Sequence, residues 1–570
     1  MASHFNAPEE WLQGCLKLAQ DWIQLLTGPR AAHASEASSA DTVPLAQASE
    51  QYWNQQIALW RTLMSPHASG NDVATLVTTP EPNDRRFQGE DWTGNAWYSA
   101  LVQAYLLNSR LLAGMVEAAD LDDKLKHKLR FFSRQFIDSM SPANFAATNP
   151  AAMRLALQSD GESLCAGLSN LLHDLTRGQI SITDETAFEV GRNVAISEGA
   201  VVFECEFMQL IQYAPLTDQV AARPLVVVPP CVNKFYILDL QPENSFVRYA
   251  CEQGYTVFLI SWRNPDEDMR NATWDDYLEQ AVMKAIEIAR TISSTDKVNT
   301  LGWCVGGTML SSAVAILRAR GDETVASMTL LTTLLDFEEP GDLGAFIDEE
   351  SVRQSELTIG QGGIQSGKAL AFVFQMLRAN DLLWPYVVNN YLHGKTPDAF
   401  DLLYWNADAT NLPGPMYAWL LRNTYLENNL RVPGKLLMCG QPVNLGAIDV
   451  PSYVLATQGD HIVPWRSAWR TLQLLGGKPQ FVLAASGHIA GVINPPSLNR
   501  RHYWTGVNLA GNADEWLALA KQKPGSWWTH WSQWLDQHAG EKVPARTRLG
   551  DDACQPIEPA PGRYVRARCG

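Results

Sequence analysis

A cysteine between glycines, directly after an apolar run, constrains this chain more than any other feature. Residues 298–310 read VNTLGWCVGGTML, where a β-branched run leads into G-x-C-x-G and then into a helical pattern. This order of strand, sharp turn and helix is the context of a nucleophile elbow. Glycines fit there because the two backbones come too close for a Cβ. The pattern predicts that Cys304 is a nucleophile at a helix N-terminus, where the dipole favours a thiolate.

Candidate partners of Cys304 follow it in the hydrolase order of nucleophile, acid and histidine. Asp460 comes just past an apolar run that ends at residue 457, although alone it would be read as a solvated turn aspartate. His488 follows the apolar run 481–485 within a short Ser-Gly loop. His461 is the competing base, but adjacent side chains usually diverge, so it pairs poorly with Asp460. We therefore predict Asp460 as the acid and His488 as the base.

An oxyanion hole needs two backbone N–H groups near the nucleophile. The first is expected from Val305, the residue after Cys304, and the second from the loop after an earlier strand. The segment 226–234, VVVPPCVNK, supplies that loop. Because its two prolines have no N–H, either Cys231 or Val232 must be the donor.

The chain after about residue 190 alternates short apolar runs with helical stretches, which indicates βαβ units and a mostly parallel sheet. With the nucleophile elbow, this predicts an α/β-hydrolase fold over 186–570. The alternation stops between about 340 and 430, which predicts a cap insertion. Its stretch 361–367, QGGIQSG, is permissive enough to act as a hinge. A rigid surface insertion is the alternative. Strands are predicted at 225–228, 256–260, 298–302, 328–332, 452–456 and 480–484.

The first 185 residues are predicted to form an α-helical N-terminal domain. Residues 8–26 carry apolar side chains at helical spacing, as expected of a docking helix or of a helix that binds a partner or surface. Residues 30–50 are rich in Ala and Ser and have the composition of a linker. From 51 to 185 the pattern is again helical and contains no catalytic motif.

Composition narrows the class of protein. The net charge is −17, from 61 acidic and 44 basic residues, which disfavours a nucleic-acid partner. The nine cysteines show no zinc-ligand spacing, so no metal site is expected. A basic region followed by an apolar region is not evident at the N-terminus, and no apolar run reaches about 18 residues. We therefore expect a cytoplasmic protein without a signal peptide or a transmembrane segment.

Several long motifs together resemble the polyhydroxyalkanoate synthases. The GWCVGG run at 302–307 is similar to the family's modified lipase box, in which cysteine replaces serine. The run PPCVNKFYILDL at 229–240 is similar to its oxyanion-loop signature. The resemblance covers roughly residues 80–570, and the chain length with Cys231 in the loop favours class I. Further matching segments are YWNAD at 404–408, NLPGP at 411–415, DHIVPW at 460–465 and SGHIAG at 486–491.

This resemblance implies an acyltransferase that polymerises (R)-3-hydroxyacyl groups from CoA thioesters and releases CoA. Short-chain units such as 3-hydroxybutyryl are expected, with no metal or prosthetic group. It implies Cys304 as the nucleophile, Asp460 and His488 as its partners, and Val232 as the second oxyanion donor. It also implies a homodimer attached to polymer granules.

Two other interpretations remain open from the sequence. The first is a cysteine-type esterase, thioesterase or polymer depolymerase on the same fold, which would transfer the acyl group to water. The second is a non-catalytic granule-coat or scaffold protein that has kept a hydrolase fold. A cap that excludes water from the acyl-cysteine would favour polymerisation over hydrolysis.

Overall fold

The computed structural model describes residues 43–64, 76–506, 509 and 511–569. The chain divides into two compact units. The first contains the chain up to Thr183 together with Phe372–Asp398, and the second contains Asp184–Ala371 and Ala399–Gly570. The helix predicted at 8–26 lies outside the described residues. No helix within the described ranges is long and apolar enough to cross a membrane.

The first unit is helical, as expected for the N-terminal part of the chain. Helix Ala96–Ala118 starts where the Asn95 side chain accepts from the Trp97 N–H, and it buries Leu107 and Val116 completely. Exposed aromatic residues, such as Trp53 and Trp97 at 63% and 66%, lie on these helices too. The α-helices of this unit are Val43–Met64, Glu90–Thr93, Ala96–Ala118, Asp123–Ser139, Pro150–Gln158, Glu162–Arg177, Ala379–Leu382 and Trp384–Tyr386, followed by the π-helix Val387–Leu392.

The structure corrects the linker prediction for 30–50. A helix begins at Val43, so the linker assignment was wrong for residues 43–50, while residues 30–42 lie outside the described residues. Pro44 is tolerated in the first turn of a helix, where its missing N–H has no intrahelical partner to lose. Leu45 and Ala46 are good helix formers, which outweighs the linker-like composition of the segment.

The cap predicted at about 340–430 was expected to be one insertion in the catalytic domain, and the structure divides it between the two units. Its middle part, Phe372–Asp398, belongs to the first unit and not to the catalytic one. There the Asn170 side chain donates to the carbonyl of Asn390 at 3.0 Å. Gly167 allows a close approach, because a Cβ at this position would overlap the carbonyl of Tyr391. These contacts are made with helix Glu162–Arg177, so the break in strand–helix alternation does not mark one separate cap.

A twisted sheet of eleven strands organises the described residues of the second unit. The spatial order is β10-β9-β8-β7-β6-β5-β3-β4-β2-β1-β11, numbered along the chain as follows. The strands are Gly199–Glu204 (β1), Met208–Tyr213 (β2), Leu225–Val228 (β3), Val257–Trp262 (β4), Val298–Trp303 (β5), Val325–Leu331 (β6), Ser452–Thr457 (β7), Pro479–Ala484 (β8), His502–Thr505 (β9), Lys521–Pro524 (β10) and Glu558–Pro559 (β11).

Six neighbouring strands of the sheet are parallel to one another, in the order β8, β7, β6, β5, β3 and β4. Strand β2 pairs with β4 antiparallel. These six strands are the ones predicted from sequence, with ends that differ by up to three residues. Parallel strands that are buried on both faces consist of continuous apolar runs, so they could be recognised in the sequence. The predicted α/β-hydrolase fold is confirmed.

Helices cover the sheet and complete the second unit. Two clusters of buried apolar residues fill the space between the sheet and these helices. The α-helices are Phe246–Glu252, Trp274–Asp276, Lys284–Ser293, Val305–Ala319, Glu349–Thr358, Asp401–Ala407, Gly414–Leu420, Trp465–Thr471, Ala513–Leu519 and Trp527–Leu535, with π-helices at Tyr277–Met283 and Leu421–Leu426; Gly367–Leu377 crosses the division between the units.

The glycine-rich stretch 361–367 is hydrogen-bonded in this structure. Gly363 donates its N–H to the carbonyl of Arg270 at 2.9 Å. The short strand Ile364–Gln365 pairs antiparallel with Leu412–Pro413. The stretch therefore has defined partners in this conformation, and its role as a hinge stays a prediction.

Candidate active site

Cys304 sits at the turn between β5 and helix Val305–Ala319. Its N–H still donates to the carbonyl of Leu331 on the neighbouring strand at 2.9 Å. The chain then reverses at φ 53° and ψ −127°, a conformation that residues with a Cβ rarely adopt. The helix begins at the next residue. This is the sharp strand–turn–helix geometry that the sequence predicted.

Glycines make this turn sterically possible. A Cβ on Gly302 would lie 2.5 Å from the Cα of Gly307. A Cβ on Gly306 would overlap the carbonyl oxygen of Val228 at the end of β3. The helix can therefore approach the strand ends closely, which brings the helix N-terminus to the nucleophile.

Asp460 and His488 come from the loops after β7 and β8 and meet at the same edge of the sheet. The His488 Nδ1 donates to the Asp460 Oδ2 at 2.7 Å. Both residues are buried, at 7% and 8% exposure. With Nδ1 used in this way, Nε2 is the ring nitrogen left to exchange a proton with a nucleophile.

The carboxylate of Asp460 is itself held in place. Its Oδ1 accepts from the N–H groups of Ile462 and Val463, both at 2.9 Å. Its Oδ2 also accepts from the Thr457 hydroxyl at 3.1 Å. Sequence reasoning did not predict these three supporting residues. The turn after β7 was the available signal, because backbone N–H groups in such turns often bind the aspartate that starts them.

The electrostatics of this site favour transfer of a proton to the His488 imidazole. Burial alone lowers the pKa of His488, but the charge of Asp460 and its hydrogen bond have the larger combined effect. A hydrogen bond with Cys304 contributes in the same direction, and together these interactions raise the pKa to about 10. The imidazole beside Cys304 is therefore a strong acceptor for the thiol proton.

The structure brings together Cys304, His488 and Asp460. It does not give His461 the same position. The backbone carbonyl of His461 accepts from the N–H of Asp342 at 3.0 Å, and the histidine bonded to the Asp460 carboxylate is His488. The role of His488 as the base stays a prediction.

Two backbone segments flank the nucleophile as the oxyanion prediction requires. Val305 is the first residue of its helix, where an N–H has no partner inside the helix. Val232 lies in the loop after β3, and its carbonyl accepts from the Thr410 N–H at 3.0 Å. In the same loop, the Pro229 carbonyl accepts from the Trp262 indole at 2.9 Å.

The second cysteine near the site differs from Cys304 in its environment. Cys231 is 1% exposed. Burial raises the pKa of its thiol to about 12, and the neighbouring Cys304 acts in the same direction. Cys231 therefore stays protonated, which makes it a poor nucleophile. Among the described residues, no group of three or more His, Cys, Asp or Glu side chains forms a metal site.

Comparisons with known proteins agree with the motifs. A profile described as "Poly-beta-hydroxybutyrate polymerase (PhaC) N-terminus" matches residues 83–250, and the alpha/beta hydrolase fold profile matches 224–495. The poly(3-hydroxyalkanoate) polymerase subunit PhaC of Cupriavidus necator is 55% identical over 91% of this chain and 88% of its own. That of Rhizobium meliloti is 43% identical over 85% and 80%. The poly(3-hydroxyalkanoate) polymerase of Methylorubrum extorquens is 42% identical over 90% and 85%.

These relatives are matched over most of their length as well as over most of this chain. The matched regions include the elbow, the oxyanion loop and both partner loops. The expectation drawn from the motifs is confirmed: the chain belongs to the poly(3-hydroxyalkanoate) polymerases of class I, acyltransferase-type enzymes with the α/β-hydrolase fold.

Proposed function

We propose that this enzyme polymerises (R)-3-hydroxyacyl groups, short-chain units such as 3-hydroxybutyryl, through a thioester on Cys304. The observation that carries the proposal is the hydrogen bond from the His488 ring to the Asp460 carboxylate, beside Cys304 at the sharp turn between strand and helix. Family membership supplies the substrate class.

In the first half-reaction, His488 takes the thiol proton and the Cys304 sulfur attacks the thioester carbonyl carbon. The carbonyl oxygen becomes negatively charged and is stabilised by the N–H groups of Val305 and Val232. The bond to the CoA sulfur then breaks. The leaving thiolate takes the proton from His488, so free CoA is released and the acyl group remains on the enzyme.

In the second half-reaction, the 3-hydroxyl of another acyl unit takes the place of the thiol. His488 accepts the hydroxyl proton, and the alkoxide oxygen attacks the acyl-cysteine carbonyl. The carbon–sulfur bond to Cys304 breaks and an ester bond forms, which lengthens the chain by one unit. The Cys304 thiolate takes the proton from His488, which restores the starting state of both groups. Asp460 holds the imidazole in the tautomer that both steps require. The scheme needs no metal or prosthetic group, so dialysis against a chelator should leave the rate unchanged.

The direct test measures free CoA released from (R)-3-hydroxybutyryl-CoA and identifies the acyl product. We expect polyester from the wild type and no CoA release from Cys304→Ala, which keeps the fold. A product of free 3-hydroxy acid would instead identify a thioesterase, and turnover by Cys304→Ala would overturn the proposal.

The choice of base is tested with a matched pair of variants. His488→Gln should lower CoA release by about 10²-fold or more, as expected for a lost general base. His461→Gln, one residue from Asp460, should retain most of the activity. A larger loss at His461 would reverse the assignment.

The proposal includes a homodimer that works in the cytoplasm at the surface of polymer granules. Family membership supports both statements. Analytical ultracentrifugation should detect a dimer at micromolar concentration, and fractionation of polymer-producing cells should recover the enzyme with the granules. A monomer that remains in the granule-free supernatant would contradict them.

A further inference from the structure

A buried lysine lies two residues from the proposed oxyanion donor. Lys234 is 3% exposed, and its ammonium group donates to the carbonyl oxygen of Ala567 at 2.5 Å. Removing an ammonium group from water is costly unless hydrogen bonds and an opposite charge replace the solvent. Lys234 is nevertheless buried two residues from Val232, in the loop beside the nucleophile.

The segment 405–410 binds the backbone of the loop that contains Val232 and Lys234. The Trp405 indole donates to the carbonyl of Lys234 at 2.7 Å. Asn233 forms a β-bridge with Ala409. With the Thr410 bond to Val232 described above, consecutive residues of the loop each have a partner in this segment.

An opposite charge lies in this segment. Asp408 is 3% exposed and accepts from the Tyr236 hydroxyl at 2.9 Å. Burial lowers the pKa of Lys234, and the charge of Asp408 acts against this effect. Conversely, burial raises the pKa of Asp408, and the charge of Lys234 acts against it. Each charge therefore stabilises the other within the protein.

The two residues that follow Ala567, whose carbonyl binds Lys234, have partners of their own. The Cys569 thiol donates to the carbonyl of Ala409 at 3.0 Å. The Arg568 guanidinium pairs with Glu185 at 3.1 Å. The segment that includes Ala567 is thus attached both to the loop and to the segment that supports the loop.

We propose that Lys234 is a positioning residue for acyl transfer: its buried ammonium joins the oxyanion loop to Ala567 and to the charge of Asp408, and so holds the Val232 N–H where the oxyanion forms. This inference rests on the proposed function. Removing one oxyanion donor typically costs about 10²–10³-fold in rate. A displaced donor should cost less, on the order of 10–10²-fold.

The first test uses full-length Lys234→Met, which removes the charge but keeps much of the side-chain volume. The burst of CoA release that reports acylation should slow by about 10–10²-fold, while KM changes little, because the loop acts on the oxyanion and not on the bound thioester. Asp408→Asn should produce the same pattern. The matched control is Asp174→Asn in the first unit, where a buried carboxylate likewise accepts from a tyrosine hydroxyl, that of Tyr391, at 2.7 Å. It should leave acylation unchanged.

A second measurement separates positioning from general damage. Butyraldehyde adds to the Cys304 thiol to give a hemithioacetal, whose oxygen occupies the oxyanion position. S-butyl-CoA binds without reacting. In Lys234→Met, inhibition by butyraldehyde should weaken by the same factor as acylation, whereas S-butyl-CoA should bind as it does to the wild type.

Unchanged acylation and aldehyde inhibition in Lys234→Met would overturn the positioning role. Equal weakening of both ligands would also overturn it, because it would indicate structural damage. If Lys234→Met fails to fold, the double variant with Asp408→Asn leaves no lone buried charge, and the same two ligands are read there. If the wild type releases no CoA, or if its release does not depend on Cys304, the proposed function is refuted instead.

Discussion

The backbone conformation of Cys304 predicts that a glycine at this position gives a more stable protein than an alanine. At φ 53° and ψ −127° the residue lies outside the regions open to side chains with a Cβ. Such a conformation costs about 1–3 kcal/mol, which glycine avoids. Glycine in turn loses roughly 0.4–1 kcal/mol relative to alanine through the greater freedom of the unfolded chain. We therefore expect the free energy of unfolding of Cys304→Gly to exceed that of Cys304→Ala by about 1 kcal/mol.

Urea unfolding followed by tryptophan fluorescence measures this difference. Both variants lack the sulfur, so their comparison isolates the backbone from the loss of thiol contacts. Ala315→Gly, in the middle of helix Val305–Ala319, is the control, and it should lose about 1 kcal/mol or more because helical backbone favours alanine. If Cys304→Ala is as stable as Cys304→Gly, the turn stores no strain and the reasoning is refuted.

Three further predictions concern the acid, the glycines and the cap. Asp460→Asn removes the main interaction that raises the pKa of His488 to about 10, so NMR titration of the ring should show a lower pKa, and CoA release should fall about 10²-fold or more; an unchanged titration would contradict the assignment. Gly306→Ala should lose about 1–3 kcal/mol of stability, because its Cβ overlaps the carbonyl of Val228; an unchanged melting temperature would argue against the close approach. If the cap moves during the reaction, hydrogen exchange across 340–430 should rise when the nucleophile is acylated; slow and unchanged exchange would indicate a static cap.

The central strands were predictable because each is buried on both faces and therefore apolar throughout. The edge strand β10 and its neighbour β9 were not. They contain polar residues such as His502 and Lys521, and most of their side chains are partly or fully exposed, so they carry no continuous apolar run. The strand β11 is two residues long and pairs with β1 far away in sequence, which no local pattern reveals.

The three side chains of the site were predictable because each follows a strand that the sequence itself indicates. Lys234 and Asp408 lie within the family motifs at 229–240 and 404–408, but the sequence alone indicates no role for either residue. Their interaction joins distant parts of the chain, and sequence spacing does not show which buried charges meet. The position of Phe372–Asp398 was missed for the same reason, since its partner helix lies some two hundred residues earlier.

The proposed polymerisation depends on covalent attachment of the acyl group to Cys304. Mass spectrometry of enzyme mixed rapidly with (R)-3-hydroxybutyryl-CoA, quenched in acid and digested, measures this directly. We predict a 3-hydroxybutyryl adduct on the peptide that contains Cys304, formed as fast as CoA is released and absent from Cys304→Ala. Release of CoA at the full rate with that peptide unmodified at every quench time would contradict the account.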